Sequence, residues 1–148
     1  MDVNISKEMR RCNHLLGEIN GTYHEAAVKL GLSDSVMAVF YTLCSEGDPC
    51  PLQEIVRQSG MSKQTINSAI RKLEGEDSVR LEAAKGRGKN VSLTPKGREL
   101  ARRTVLPMME LEDEIYASWT EEELKGYLEL TERFLAALKE KTKGLRVL

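Results

Sequence analysis

Residues 51–74 read PLQEIVRQSGMSKQTINSAIRKLE, and the fold turns on how they are divided. Gly60 interrupts two runs of helical periodicity. Before it, Leu52, Ile55 and Val56 fall on one side of a short helix with Pro51 near its first turn. After it, Ser62 is placed to cap a second helix, in which Ile66, Ala69, Ile70 and Leu73 recur at i, i+3, i+4 and i+7. Two short helices joined by a tight glycine turn form a helix-turn-helix.

Once those four apolar positions face inward, the second helix presents Ser62, Lys63, Gln64, Thr65, Asn67, Ser68, Arg71 and Lys72 outward. No acid appears before Glu74. An ordinary solvated helix face mixes both signs of charge. This one offers amide and hydroxyl groups suited to base edges, from Gln64 and Asn67 with Arg71, and cations suited to phosphates, from Lys63 and Lys72.

Downstream, VRLEA (79–83) and NVSLT (90–94) alternate apolar and polar residues and read as two short strands. The tip between them, KGRGK (85–89), lacks both the G-x-x-x-x-G-K-[ST] spacing and the following helix of a phosphate-binding loop. A flexible linker is excluded too, because the flanks alternate in register. The segment therefore reads as a β-hairpin whose Lys85, Arg87 and Lys89 follow a helix-turn-helix. That is the position of a wing, with Arg87 suited to a minor groove.

Outside this unit the chain reads as helical. Ile5, Met9, Cys12, Leu16, Ile19 and Tyr23 mark a first helix over 5–30. Ser33 caps a second, with Val36, Val39, Phe40 and Leu43 inward, which ends at SEGDPCP. Thr94-Pro95 opens a long helix running to about residue 118, with a bend expected at Pro107. Thr120 and Glu123 form a capping box for a last helix, whose stripe includes Leu124, Tyr127, Leu128, Phe134, Leu135 and Leu138. The terminal helices each carry an apolar face that cannot stay in water, so they pack on each other or on a second copy; a homodimer is favoured, built through Ile5, Met9, Cys12, Leu16, Leu128, Phe134, Leu135 and Leu138.

Composition agrees. The 148 residues carry a net charge of −1, yet residues 57–103 hold twelve Lys and Arg against five Asp and Glu, net +7. The segments on either side are each net −4. A basic middle between acidic ends predicts a face for a polyanion. The N-terminus is too charged for a signal peptide, and no apolar run approaches the ~20 residues of a membrane span, so a cytoplasmic protein with no membrane partner is expected. Three cysteines, Cys12, Cys44 and Cys50, make neither a disulfide framework nor a zinc pattern and read as small hydrophobes. No catalytic set, cofactor motif or metal site is read: there are only two histidines, His14 and His24, both in the first helix region, and no G-x-S-x-G or H-E-x-x-H pattern.

The run PLQEIVRQSGMSKQTINSAIRKLE, then VRLE, the basic tip, VSLTPKG and WTEEELKGYLEL resembles the MarR family of bacterial transcriptional regulators over nearly the whole chain. The resemblance implies a mainly α (α+β) fold, a winged helix-turn-helix with long N- and C-terminal dimerisation helices. On it, residues 1–148 form one domain, with 33–94 the DNA-binding part and 1–30 and 95–148 the helical dimerisation part. It implies an obligate homodimer on a pseudo-palindromic double-stranded DNA operator, acting as a repressor relieved by a small-molecule effector of unknown identity. Ser62 to Arg71 match the recognition helix, and Arg87, six residues before Leu93, matches the wing arginine. The sequence departs from the family at Lys85, where an acid often helps to hold that arginine, and at Ser78, where glycine is usual between recognition helix and wing. Some relatives sense peroxide through a cysteine in the first helix, the region of Cys12. A winged helix serving protein interaction without DNA binding is the alternative reading.

Overall fold

The computed structural model describes residues 3–147. The expected spans that begin at residue 1 and end at residue 148 reach beyond the described residues at both ends. The described part forms two compact units, divided between Pro107 and Met108. Among the described residues no single helix is long and apolar enough to cross a membrane.

The first unit starts with α1, Lys7–Lys29. It begins two residues later than its periodicity suggests, because the Ser6 hydroxyl accepts the Met9 amide at 3.0 Å and fixes the first turn. Ile5 therefore precedes the helix. Gly31, at φ 71°, ends it, and Ser33 caps α2, Asp34–Glu46. Helix α2 is the centre of the unit: Val36, Val39, Phe40 and Leu43 are almost fully buried. It packs against α3, Leu52–Ser59, and α4, Lys63–Gly75. Ile55 of α3 meets this core, while Leu52 and Val56 are half-buried.

Three strands complete the unit. β2 (Val79–Ala83) and β3 (Lys89–Leu93) form the expected hairpin, with Leu81 opposite Val91 and Ala83 opposite Lys89. The third strand was not anticipated. Cys50 and Pro51 form β1, which pairs with the other edge of β3 and gives the order β1-β3-β2. Two residues are too few to show alternation, so no periodicity announces such a strand.

The root of the hairpin is held by one threonine. Thr94 donates its amide to the Ser78 carbonyl at 3.1 Å and its hydroxyl to the Asp77 carbonyl at 2.6 Å. The same hydroxyl oxygen accepts the Gly97 amide at 3.0 Å and caps α5, Pro95–Arg103. Gly97 is required here: a Cβ would lie 1.9 Å from the Ser78 carbonyl oxygen. The turn before β2 also differs from expectation. Its left-handed residue is Asp77, at φ 56°, and not position 78. Aspartate tolerates that region better than most residues, so a glycine at 78 is not needed.

The bend expected at Pro107 is a break at Thr104, which separates α5 from α6, Val105–Ala117. Proline has no amide to offer the carbonyl four residues earlier, and its ring crowds that carbonyl, here Arg103. The fault therefore opens one turn before the proline. Thr104 takes φ −118° and ψ −78°, and its hydroxyl donates to the Leu100 carbonyl at 2.7 Å.

In the second unit, α7 spans Glu121–Thr142. Its capping box forms as read, with Thr120 accepting the Glu123 amide at 3.1 Å and Glu123 accepting the Thr120 amide at 3.2 Å. Trp119 stacks edge-on against Tyr116 and Tyr127, with ring centroids 5.4 and 5.2 Å away. Burial, then the neighbouring Tyr127 and Glu112, pushes the Tyr116 hydroxyl above its usual pKa.

Ser78 is 1% exposed, and its hydroxyl is the one buried side-chain polar atom without a hydrogen-bond partner among the described residues. A buried unsatisfied hydroxyl costs more than it returns. Ser78→Ala is therefore expected to stabilise the fold by about 1 kcal/mol and raise the melting temperature by about 3 °C, read by thermal and urea unfolding. A loss of stability would show that the hydroxyl is satisfied in solution.

Candidate nucleic-acid interface

Helix α4 owes its orientation to the four residues that bury it. Ile66, Ile70 and Leu73 are at most 2% exposed and Ala69 is 5% exposed, each large side chain contributing about 1.5–3 kcal/mol of burial. With that face fixed, Lys63, Gln64, Thr65, Ser68, Arg71 and Lys72 are exposed and Asn67 is half-buried. Ser62 is the N-cap: its Oγ accepts the Thr65 amide at 3.1 Å and lies 2.7 Å from the Thr65 hydroxyl. The two hydroxyls engage each other at the start of the helix. They are less free than Gln64, Arg71 or Lys72 to meet a partner.

The turn before α4 is built for sharpness. Gly60 takes φ 64°, where a side chain would be strained. The Ser59 hydroxyl accepts the Met61 amide at 3.1 Å and donates to the Val56 carbonyl at 2.9 Å. The chain therefore leaves α3 and enters α4 within three residues.

At the hairpin tip the Ala84 amide donates to the Gly88 carbonyl at 3.2 Å, closing a loop in which Gly86 and Gly88 both have φ 94°. Lys85, Arg87 and Lys89 are all exposed. A cleft of about 860 Å³ brings these three cations together with Lys63, the first residue of α4, over Leu52 and Val56 of α3. The structure thus joins the beginning of the polar helix face to the hairpin tip, residues 22 or more apart in sequence. Arg71 and Lys72 lie further along α4 and do not line the cleft.

Charge pairing sorts the basic residues. Arg57 is committed to Glu54, donating from Nε at 3.0 Å; this bond, with a second from Gln58, holds the Glu54 carboxyl below its usual pKa. Arg98 is engaged with Asp48, and Arg102 with Glu99. In contrast, Lys63, Arg71, Lys72, Lys85, Arg87 and Lys89 have no ion pair among the described residues. With Arg80 of β2, which is also exposed and without an ion pair, these cations on α4 and the hairpin form a surface suited to an anionic polymer.

No family model matches the sequence, and no curated protein matches it either. Solved structures do. A MarR family regulator from Neisseria meningitidis shares 22% identity over 93% of this chain and 96% of its own, with a TM-score of 0.76. The fold is that of the MarR family. A transcriptional regulator of the family from Silicibacter pomeroyi is 25% identical over 96% and 92% of the two chains, with a TM-score of 0.63. S. aureus MepR in its DNA-binding conformation has a TM-score of 0.74 at 15% identity, covering 90% of this chain and 99% of its own. The expected mainly α winged helix-turn-helix is therefore the observed fold.

The residues expected at a dimer contact are exposed, apart from Ile5, which is half-buried. Met9 and Leu16 of α1 are 41% and 50% exposed; Leu128, Phe134, Leu135 and Leu138 of α7 range from 47% to 59%. Helix α7 buries no residue. The cysteines divide: Cys50 is buried and Cys44 half-buried, and burial raises both thiols above their usual pKa, whereas Cys12 is exposed and so is not a core hydrophobe of this chain. One contact has no signature in the sequence. His24 Nδ1 lies 2.9 and 3.0 Å from the two carboxylate oxygens of Asp34, joining α1 to the start of α2.

Proposed function

We propose that this chain is a DNA-binding transcriptional regulator of the MarR type, working in the cytoplasm as a homodimer on a pseudo-palindromic operator. The observation that carries the reading is the set of cations without ion pairs shared by α4 and the hairpin, joined through the cleft at Lys63. In this reading α4 enters the major groove. Gln64, Asn67 and Arg71 meet base edges, Lys63 and Lys72 meet phosphates, and Ser62, Thr65 and Ser68 fill the approach. The hairpin is the wing: Arg87 reaches the minor groove, while Lys85 and Lys89 hold the backbone beside it. Residues 33–94 act as the DNA-binding part, and 1–30 with 95–148 as the dimerisation part.

The dimer supplies the spacing between two half-sites. It also accounts for the exposed apolar side chains on α1 and α7, which a second copy would cover. Repression relieved by a small molecule is the regulatory mode we favour. A structure of similar fold, Bordetella bronchiseptica BpsR, has its DNA binding regulated by 6-hydroxynicotinic acid. Another, S. aureus MarR, was solved in complex with salicylate and kanamycin.

With a duplex taken from the DNA upstream of its own gene, binding is expected to weaken steeply as salt rises, because each neutralised phosphate releases counterions. Arg87→Ala should weaken binding about tenfold and reduce the salt slope by about one, with the dimer unchanged. An unaltered affinity would remove the wing from the mechanism; no salt-dependent binding by the wild type would remove DNA. Phe134→Glu is expected to shift the protein from dimer to monomer in sedimentation while circular dichroism keeps its helical signal, since the side chain is 59% exposed within its own chain. A variant that stays dimeric would refute the placing of α7 in the contact. Finally, an aromatic acid from a screened set should release the retained duplex; release by none of them would argue against effector control of this kind.

A further inference from the structure

Asp48 occupies the loop between α2 and β1, and its side chain is only 18% exposed. Its Oδ1 accepts the Leu93 amide at 3.0 Å. Its Oδ2 accepts Arg98 of α5, from Nη2 at 3.2 Å and Nε at 3.3 Å. From the loop that follows α2, one carboxylate thus touches the last residue of β3 and the first turn of α5.

The register explains why a side chain does this work. Cys50 pairs with Val91 and Pro51 with Asn90. Continuing that antiparallel register sets position 48 opposite Leu93. Strand β1 covers only Cys50 and Pro51, and the carboxylate of Asp48, in place of a backbone carbonyl, takes the Leu93 amide that a longer strand would have bonded. The anionic acceptor makes this bond stronger than a neutral one. An exposed arginine pair alone is worth little. Here the pair matters because the same carboxylate also carries the strand end.

We propose that Asp48, together with Arg98, is a positioning residue for the wing. The carboxylate fixes the stem of the hairpin to α2 and α5 and so sets where Arg87 points. The tip itself, residues 84–88, holds no acid, and position 85 is lysine, so its aim depends on its root. This assignment rests on the DNA-binding reading for its function, and its structural content can be measured without DNA.

The test uses the full chain carrying Arg98→Gln, Asp48→Asn or Asp48→Ala. Arg98 is two-thirds exposed, so its replacement keeps the fold even where the Asp48 variants lose stability. Amide hydrogen exchange across residues 79–93 is expected to quicken about tenfold in Arg98→Gln, with exchange in α4 unchanged. Equal protection in variant and wild type overturns the proposal. The second arm is a double-mutant cycle with Arg87→Ala on the upstream duplex. If Asp48 and Arg98 aim the wing, losing Arg87 costs less in the Arg98→Gln background than in the wild type. Additive losses would show a structural role only, and overturn the positioning role. A wild type that binds no DNA defeats the functional reading instead, and leaves the exchange result to decide whether the root holds the hairpin.

Discussion

The Ser78 carbonyl is the point on which the first unit turns. It accepts the Thr94 amide and lies so close to position 97 that only glycine fits. Three elements converge there: the end of α4, the stem of the hairpin and the first turn of α5. A Cβ at 97 would push α5 away from the strand end and loosen the threonine that caps it. This close approach is one of the contacts that hold the hairpin stem against α5 and the end of α4. The cleft beside the hairpin is walled by its tip and by α3, with Lys63 of α4 at its edge.

The elements legible in the sequence are those whose causes are local. Ser62, Thr94 and Thr120 each announce a helix start by residue type and spacing, and each accepts the amide expected of it. The inner face of α4 is legible for the same reason, since four apolar residues at helical spacing leave no second choice. What the sequence does not show is non-local. Strand β1 exists only because β3 lies beside it. The pairing of His24 with Asp34 needs two helices to cross. Asp48 looks like a loop residue until its contacts with Leu93 and Arg98, 45 and 50 positions away, are seen. The misplaced bend is an error of a different kind: proline disturbs the turn before it, so the fault lies at Thr104 and not at Pro107.

For the candidate interface, the types of residue were legible and their assembly was not. Periodicity shows which face of α4 is polar, and alternation shows where the hairpin turns. Neither shows that Lys63 shares a cleft with Lys85, Arg87 and Lys89. Charge patterning gave the nearest hint, because a net of +7 over residues 57–103 needs a common outlet. The structure refines that hint by separating cations. Arg57, Arg98 and Arg102 spend their charge on neighbouring carboxylates, while α4 and the hairpin keep theirs available.

The aromatic trio beside α7 has a practical consequence. Trp119 is the only tryptophan in the chain, and its ring neighbours Tyr116 and Tyr127 belong to the same compact unit. Tryptophan emission therefore reports on the second unit, whereas far-ultraviolet circular dichroism averages over the seven helices of the described residues. The molecule carries its own optical label on one of its two parts, and a difference between the two signals on heating would resolve whether those parts melt together.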